Sequence, residues 1–445
     1  MNRAFLPIAI AVLLGAAGLS CQSKDKDKDK DKSKHKTTKQ PVGGKRVKTP
    51  PTKSTKPQPK LTVAQWRADL TQLATELPKR HVNLFHSATK QQFDAAVTKL
   101  DKNIGAMNRQ QIIAELSRLL AMFDEGHTLL LRKKIPYLQL GLYWFADGIY
   151  VVRAPRGHGW AVGRKLTHLG GAAIDSVIRK LTQVISRDNA SQLKNMMPNY
   201  LIDSTILFGL GLSKHKNRAV YTLAGKPDKA GQPSKARQLT VALGQQVQMP
   251  PQPKPLPLSR QRNSAHYWST YVAARKMLYV QYNKCVSASD LPFKKFADDL
   301  LAFIDKGDVD RLVIDLRRNG GGDSRVINPL LDGLAKRPRI TKRGHLFVLI
   351  GRATFSSAVL NTIALKKRFN AILVGEPSGG SPSHYGEVKR FSLSNSKLEV
   401  MYSTKYFKNT DMQGASIVPN VNATAKYAAY ANGIDAAMAV VHAFN

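Results

Sequence analysis

The chain has 445 residues and a formal net charge of +39 at pH 7. This length is enough for two or three domains. Because only two cysteines are present, Cys21 and Cys285, the composition excludes a fold held together by a disulfide framework. Cys285 directly follows an apolar run, and we expect it to be a buried thiol rather than a catalytic nucleophile.

The first 21 residues have the features of an export signal. The basic residue Arg3 precedes an apolar run from Ala4 to Leu19, which is shorter than the ~20 residues of a comfortable membrane span. Cys21 follows this run after a serine, as in bacterial lipoprotein signals, where the cysteine is lipidated and becomes the mature N-terminus. The sequence therefore predicts a lipoprotein-type signal peptide over residues 1–21 and an exported protein of the bacterial cell envelope, lipid-anchored in the periplasm or on the outer surface. Ordinary secretion with cleavage nearby is the alternative.

Residues 22–60 are predicted to form a disordered, lysine-rich tether. They begin with alternating Lys and Asp and continue with Lys, Pro and Thr, a composition that cannot bury a core. This segment carries 14 Lys or Arg and 4 Asp, which leaves +29 for the rest of the chain. The strong positive charge of these other residues predicts anionic envelope polymers as partners. The absence of a zinc-finger, helix-turn-helix or RNA-binding sequence signature argues against nucleic acid.

Residues 61–135 are predicted to be a helical segment. A first helix begins at a Thr62 cap and runs to Pro78, and two more helices follow with apolar residues at helical spacing. His127 lies just after the third helix. A histidine at this place is often only a favourable charge near a helix C-terminus, so position alone does not make it functional.

Residues 136–248 form a predicted middle domain. Its first element is a hairpin with a turn at Asp147-Gly148, and helices over 174–201 and 207–212 and a strand over 219–223 follow. A proline-rich linker over residues 249–263 cannot join the interior of a sheet and opens the last domain, residues 249–445.

Strand and helix patterns alternate in the last domain. The predicted elements are a strand over 277–282, a helix over 291–305, a strand over 311–316, a helix over 324–335, a strand over 346–350, a helix over 356–367 and a strand over 371–375. This order predicts the α/β class, with a layered mixed sheet and crossover helices. A later strand over 398–404 suggests an antiparallel addition to that sheet.

Two polar segments follow neighbouring strands of this predicted sheet. Residues 315–322 read DLRRNGGG, and residues 354–358 read TFSSA. Ser356 stands at a strand-to-helix junction, where it either caps the helix or serves as a nucleophile beside free backbone N–H groups. The glycine loop can bring further N–H groups to a developing oxyanion. It lacks the Lys-Ser/Thr ending of a phosphate-binding loop.

These segments resemble the S41 peptidases, which include tail-specific (carboxyl-terminal processing) proteases, tricorn-type proteases and interphotoreceptor retinoid-binding repeats. The family pattern D-L-R-x-N-x-G-G matches residues 315–322, and the G-E-P that ends a later family strand matches residues 375–377. The resemblance implies a ClpP/crotonase-like core with Ser356 as nucleophile and Ser357 as the fallback. It also implies an oxyanion hole built from Gly321 or Gly322 together with the Ser357 N–H.

The family resemblance also proposes a general base. Tail-specific proteases use a lysine shortly after G-E-P, but Ser381 stands at that position here, which argues against a Ser-Lys dyad. The segment around His127 is similar to the D-G-H-T of the tricorn-like branch, so the resemblance implies His127 as the base, with His384 as the runner-up. For the acid that orients the imidazole it favours Asp411, and the alternatives Glu387 and Glu376 remain open.

Residues 161–174 look like part of a PDZ domain, a module that S41 proteins commonly carry before the core. The carboxylate-binding loop of PDZ domains is not recognisable. A degenerate PDZ-like middle domain is therefore expected, which either binds extended peptides or only packs against the core.

Two functions are consistent with these patterns. The first is an exported, membrane-tethered serine endopeptidase that acts on peptide or protein substrates through an acyl-enzyme. The second is a catalytically inactive S41-like protein that binds peptides or apolar ligands in the same cleft. Serine acyl chemistry needs no metal or other cofactor, and the histidines and acids show no metal-ligand spacing.

Overall fold

The structure, a computed structural model, describes residues 60–226, 234–410 and 412–444. The predicted signal peptide with Cys21, nearly all of the predicted tether, and Asp411 lie outside these residues. Within these ranges, no helix combines the length and the apolar character that a bilayer crossing requires.

Three helices form the N-terminal segment: α1 (Val63–Arg80), α2 (Lys90–Asn103) and α3 (Arg109–Ala121). Each begins with a reciprocal capping box, in which Thr62, Thr89 or Asn108 accepts a backbone N–H and a glutamine three residues later returns the bond. The predicted helices are therefore present. A short strand, β1 (Leu129–Leu131), follows α3 after a loop that contains His127.

The middle region contains two small sheets. Its elements are β2 (Gly141–Phe145), β3 (Gly148–Pro155), β4 (Leu166–Leu169), β5 (Ala172–Ala173), α4 (Ile174–Thr182), α5 (Ala190–Tyr200), α6 (Ser204–Gly209), β6 (Arg218–Leu223), β7 (Arg237–Ala242) and β8 (Val247–Gln248). The sheets have the orders β2-β3-β8 and β5-β4-β6-β7. The hairpin predicted around Asp147-Gly148 is present as β2 and β3, whereas the PDZ-like character of the region and the domain boundaries stay predictions.

The core elements follow in the predicted alternation. They are β9 (Tyr267–Val272), β10 (Met277–Tyr282), α7 (Phe293–Asp305), β11 (Arg311–Asp315), α8 (Asn328–Ala335), α9 (Pro338–Thr341), β12 (Leu346–Ile350), α10 (Ser357–Phe369), β13 (Ile372–Gly375), β14 (His384–Ser392), β15 (Glu399–Phe407), β16 (Val421–Asn422), α11 (Tyr427–Ala431) and α12 (Ala436–Ala443). The main sheet has the order β16-β13-β12-β11-β10-β9. Adjacent strands of this sheet are parallel, except that β9 runs antiparallel to β10. The predicted layered α/β sheet with crossover helices is confirmed.

Both faces of the main sheet are buried along β10 to β13, which explains why these strands are nearly continuous apolar runs. On β11, Leu312 and Ile314 pack on one face with residues of α7, α8 and α10. Val313 points to the other face and packs with residues of α12. The carboxyl ends of β11 and β12 therefore lie side by side at one edge, where parallel sheets place their sites.

The antiparallel addition predicted at residues 398–404 was placed wrongly. That segment is β15, which pairs antiparallel with β14 and with β1 in a separate three-stranded sheet of order β1-β15-β14. The antiparallel edge of the main sheet is β9, formed by residues just after the proline-rich linker. Because β14 and β15 are close in sequence, they pair with each other as a hairpin. Strand β1 then ties the N-terminal segment to this hairpin.

Candidate active site

Ser356 lies in a strained turn between β12 and α10. Its backbone has φ 52° and ψ −126°, a region that glycine normally occupies and that is costly for other residues. The side chain makes no capping hydrogen bond to α10, so the alternative role as an N-cap is not realised. Nucleophilic serines on strand-to-helix turns adopt such a strained conformation, which exposes the hydroxyl.

Buried polar side chains hold this turn against the end of β11. The Thr354 hydroxyl donates to the Leu316 carbonyl at 2.9 Å, and the Phe355 N–H donates to the Asn319 carbonyl at 3.0 Å. Asn319 is fully buried, and its Nδ2 donates to the Tyr282 carbonyl at 2.9 Å. These bonds between neighbouring strand ends keep the backbone of Ser356 in its strained conformation.

The glycine loop packs directly on Ser356. Gly321 has φ +106°, and a Cβ placed on it would lie 2.8 Å from the Ser356 Cβ. The Gly321 N–H donates to the Asn319 Oδ1 at 2.9 Å, so it is not free to donate to an oxyanion in this arrangement. Among the described residues, the Gly322 and Ser357 N–H groups have no acceptor, which leaves these two as the available donors of the predicted set.

Ser357 differs from Ser356 in the use of its hydroxyl. It is buried, and its Oγ donates to the Gly322 carbonyl at 2.5 Å. This bond fixes the glycine loop to the start of α10. The fallback nucleophile therefore has an occupied hydroxyl, whereas the Ser356 hydroxyl has no hydrogen-bond partner among the described residues.

His127 reaches this turn from the N-terminal segment. Its ring stacks on the ring of Phe355, the residue before Ser356, with centroids 4.4 Å apart. The imidazole is buried, and neither ring nitrogen has a hydrogen-bond partner in the part of the chain that the structure describes. Burial, with a smaller contribution from His384, lowers the pKa of His127 from 6.5 to about 3. The ring is thus neutral at physiological pH and packs on the residue before Ser356, but it is not hydrogen-bonded to the Ser356 Oγ.

His384, the runner-up for the base, lies next to His127. The two rings are stacked with centroids 5.7 Å apart. The His384 Nδ1 lies 2.9 Å from the Ser381 carbonyl oxygen, and because a carbonyl only accepts, this nitrogen carries the proton. Burial lowers the pKa of His384 as well.

Of the three acids predicted to orient the base, the structure describes two, and neither is paired with the imidazole. Asp411 lies outside the described residues. Glu376 is paired with Arg352, and Glu387 is exposed with its side chain 3.8 Å from Lys405. For the alternatives Glu376 and Glu387, the structure therefore shows other partners.

Sequence reasoning missed Glu125, a buried carboxylate two residues before His127. It accepts from the Nε2 of His81 at 2.7 Å and from the Thr128 hydroxyl at 2.9 Å, and the Ser403 hydroxyl also donates to it. Burial alone would raise the pKa of Glu125, but its hydrogen bonds, led by that from His81, hold the pKa well below its usual value. Glu125 thus ties the His127 loop to β15, and no local sequence pattern reveals these distant partners.

A cleft of about 220 Å³ lies beside His384 and His86. Its walls include Glu125, His384, Tyr385 and Tyr406. Within residues 60–226, 234–410 and 412–444, no group of three or more His, Cys, Asp or Glu could hold a metal ion. Among the described residues, the turn at Ser356 instead combines an unpartnered hydroxyl, two backbone N–H groups without an acceptor and a nearby neutral imidazole ring stacked on Phe355, which are the kinds of group that acyl transfer uses.

Comparisons with known proteins agree with this architecture. No protein-family model matches the chain, and no curated protein matches it. Mature CPAF complexed with lactacystin is similar in structure, with a TM-score of 0.59, 12% identity, and 85% of this chain and 97% of CPAF covered. A serine-to-alanine mutant of CPAF gives a TM-score of 0.56 at 12% identity, covering 86% of this chain and 98% of the other. The photosystem II D1 C-terminal processing protease is a weaker match, with a TM-score of 0.38, 15% identity, and 84% and 98% covered. The chain shares the fold of CPAF.

Proposed function

We propose that this protein is a serine peptidase of S41 type that hydrolyses peptide bonds through an acyl-enzyme on Ser356. The observation that carries the proposal is the unpartnered Ser356 hydroxyl on a strained backbone, which packs on the glycine loop and follows a residue whose ring stacks on a buried neutral imidazole. The motif order in the sequence and the CPAF-like fold support the family. A strained backbone at an unpaired hydroxyl is typical of a nucleophile on a strand-to-helix turn.

In the proposed reaction, the Ser356 Oγ attacks the carbonyl carbon of the scissile peptide bond. His127 accepts the hydroxyl proton and then returns it to the leaving amine. The Gly322 and Ser357 N–H groups donate to the oxyanion of the tetrahedral intermediate, and losing one such donor costs ~3 kcal/mol of transition-state stabilisation. Water, deprotonated by the same imidazole, then releases the acyl group and regenerates the Ser356 hydroxyl.

The base must reorient toward Ser356 to take part. Its ring nitrogens are unpaired while the ring lies flat on Phe355, so no existing hydrogen bond opposes a reorientation toward Ser356. Catalytic hydrogen bonds are often formed only in the substrate complex. His384, whose protonated Nδ1 leaves Nε2 as the acceptor, is the alternative base, and the experiment below separates the two.

We also propose the cellular setting that the sequence indicates: export, lipidation at Cys21, and a basic tether that holds the peptidase at an envelope membrane. Peptides or proteins in that compartment are the proposed substrates. Replacement of Cys21 by alanine should move the protein from the membrane fraction to the soluble fraction. If the variant stays in the membrane fraction, lipidation is not the anchor.

Covalent labelling of the full chain by a fluorophosphonate probe tests the proposal. Wild type should be labelled, and Ser356→Ala should not be. Ser357→Ala is the matched control, because it removes a neighbouring hydroxyl that donates to Gly322 and should retain labelling. His127→Ala should lose labelling, and loss in His384→Ala alone would transfer the role of base to His384.

Two further outcomes decide between function classes. Because the structurally similar CPAF forms a complex with lactacystin, preincubation with lactacystin should block the labelling of Ser356. If correctly folded wild type is not labelled at any pH from 5 to 9, the peptidase proposal is refuted and ligand binding without catalysis remains.

A further inference from the structure

The segment just before α5 inserts a carboxylate between the loop that carries His127 and the loop that leads into β14 at His384. The Asp188 Oδ1 accepts the Gly126 N–H at 2.6 Å, and the Oδ2 accepts the Ser381 N–H at 3.2 Å. Gly126 and Ser381 belong to segments that are far apart in the chain. One side chain of the middle region therefore connects the N-terminal segment with the core.

Each of the two residues that Asp188 binds is directly connected to a histidine, either along the chain or by a hydrogen bond. Gly126 directly precedes His127. The Ser381 carbonyl accepts from the His384 Nδ1 at 2.9 Å. Asp188 thus constrains the backbone of one histidine and the hydrogen-bond acceptor of the other, without contacting the reacting atoms of the proposed reaction.

The surroundings of Asp188 fix its position. Its own N–H donates to the Gln192 Oε1 at 2.6 Å. The next residue, Asn189, caps α5 and also donates to the Ala415 carbonyl at 2.6 Å. At Gly126, a Cβ would lie 2.9 Å from the Asp188 Oδ1 and 2.4 Å from the Gln192 Nε2, so the approach of the loop to Asp188 requires a glycine.

Asp188 is a poorly solvated acid, and only the two backbone N–H groups are hydrogen-bonded to its carboxylate among the described residues. Burial raises the pKa of Asp188 to about 7, against the opposing effect of the Gly126 and Ser381 N–H groups. The titratable or charged groups around it are Asp124, Glu125 and His127 on the loop before β1, His86 between α1 and α2, the neighbouring Arg187, and His384 on β14.

We propose that Asp188 is a positioning residue of the peptidase site, through which the middle region holds both imidazoles in register with Ser356. This inference rests on the proposed function. Without the carboxylate, the Gly126 and Ser381 N–H groups lose their acceptor and the two loops separate. Protonation of Asp188 weakens the same bonds, because a neutral carboxyl is a poorer acceptor than a carboxylate.

The first test measures the rate of probe labelling in Asp188→Ala and Asp188→Asn, with Asp124→Asn as the matched control. Asp124 lies on the same cleft, but its side chain is 60% exposed and pairs with Arg187. We expect Asp188→Ala to lower the labelling rate at saturating probe at least tenfold and to change the half-saturating concentration less than threefold. Asp188→Asn should keep part of the rate, because its amide oxygen still accepts one N–H. Asp124→Asn should label like wild type.

The pH profile of labelling supplies a readout that a purely structural role would not move. Wild-type labelling should fall as the pH drops through about 7, and Asp188→Asn should lack this inflection. An Asp188→Ala variant that labels at the wild-type rate, or an inflection that persists in Asp188→Asn, would overturn the positioning role.

Imidazole ¹⁵N NMR spectra of the full chain separate this inference from the proposed function. In Asp188→Ala, the ring resonances of His127 and His384 should shift, whereas in Asp124→Asn they should stay in place. An unlabelled wild type would refute the peptidase, and shifted resonances would still show that Asp188 positions the rings. If the resonances of both rings are unchanged, Asp188 positions neither.

Discussion

The backbone strain at Ser356 makes a quantitative prediction about stability. A residue held at φ 52° and ψ −126° costs ~1–3 kcal/mol unless it is glycine. Replacement by glycine removes this strain. Glycine also loses more conformational entropy on folding than alanine does, which lowers the stability by ~0.5–1 kcal/mol. Replacement by alanine keeps the strain, and neither change breaks a hydrogen bond of the side chain. Ser356→Gly should therefore be about 1 kcal/mol more stable than Ser356→Ala, although both lack the nucleophile.

The assay is urea unfolding of the two full-length variants, followed by tryptophan fluorescence, with probe labelling to verify that both are inactive. Ser357→Gly and Ser357→Ala form the control pair. Ser357 is the first helical residue of α10, so glycine should be the less stable of that pair. If Ser356→Gly is less stable than Ser356→Ala, the turn is not strained, and the main argument for a nucleophile at this position fails.

Three further predictions concern the surroundings of Ser356. Because the folded pKa of His127 is about 3 and its ordinary value is 6.5, the unfolded state takes up this proton first as the pH falls. His127→Phe should therefore gain stability relative to wild type by ~1.4 kcal/mol per pH unit between pH 6 and 4, measured by urea unfolding. The raised pKa of Asp188 changes the stability with pH in the opposite direction, so the contribution of His127 is read from the difference in unfolding free energy between wild type and His127→Phe. If this difference does not change with pH, the buried ring is not held neutral. Gly321→Ala, with a Cβ 2.8 Å from that of Ser356 and φ +106°, should abolish probe labelling and destabilise the fold by ~1–3 kcal/mol. Gly320→Ala, which meets no atom within 4 Å, should do neither. Glu125→Gln removes the negative charge that accepts the hydrogen bonds of His81 and Ser403, and it should lower the unfolding free energy by ~1–3 kcal/mol. An unchanged unfolding free energy would show that these hydrogen bonds do not stabilise the fold.

The sequence predicted the main sheet well because its signals are local. The parallel strands β10 to β13 are apolar runs buried on both faces, and the crossover helices have helical apolar spacing. The residues at the strand ends, including Ser356 and the glycine loop, follow directly from those runs. Since parallel strands bring their carboxyl ends to one edge, a local pattern was enough to place these two segments together.

The sequence failed where a contact depends on the pairing of distant segments. It assigned residues 398–404 to the main sheet, whereas they pair with β14 and β1. It missed Glu125 and Asp188, whose roles come from partners on other segments of the chain. It also left three acids open as the orienting residue, of which Glu376 and Glu387 have partners elsewhere.

By itself, the sequence determined the order of strands and helices, the strand-to-helix junction at Ser356, and the glycines that can approach it, because backbone preference and apolar periodicity are properties of short segments. Only the tertiary structure decided that His127 stacks on Phe355, since the pairing of β1 with β15 and the hydrogen bonds of Asp188 join segments that are far apart in the chain. Those contacts form only when distant segments come together in the folded chain, and no short stretch of residues contains that information.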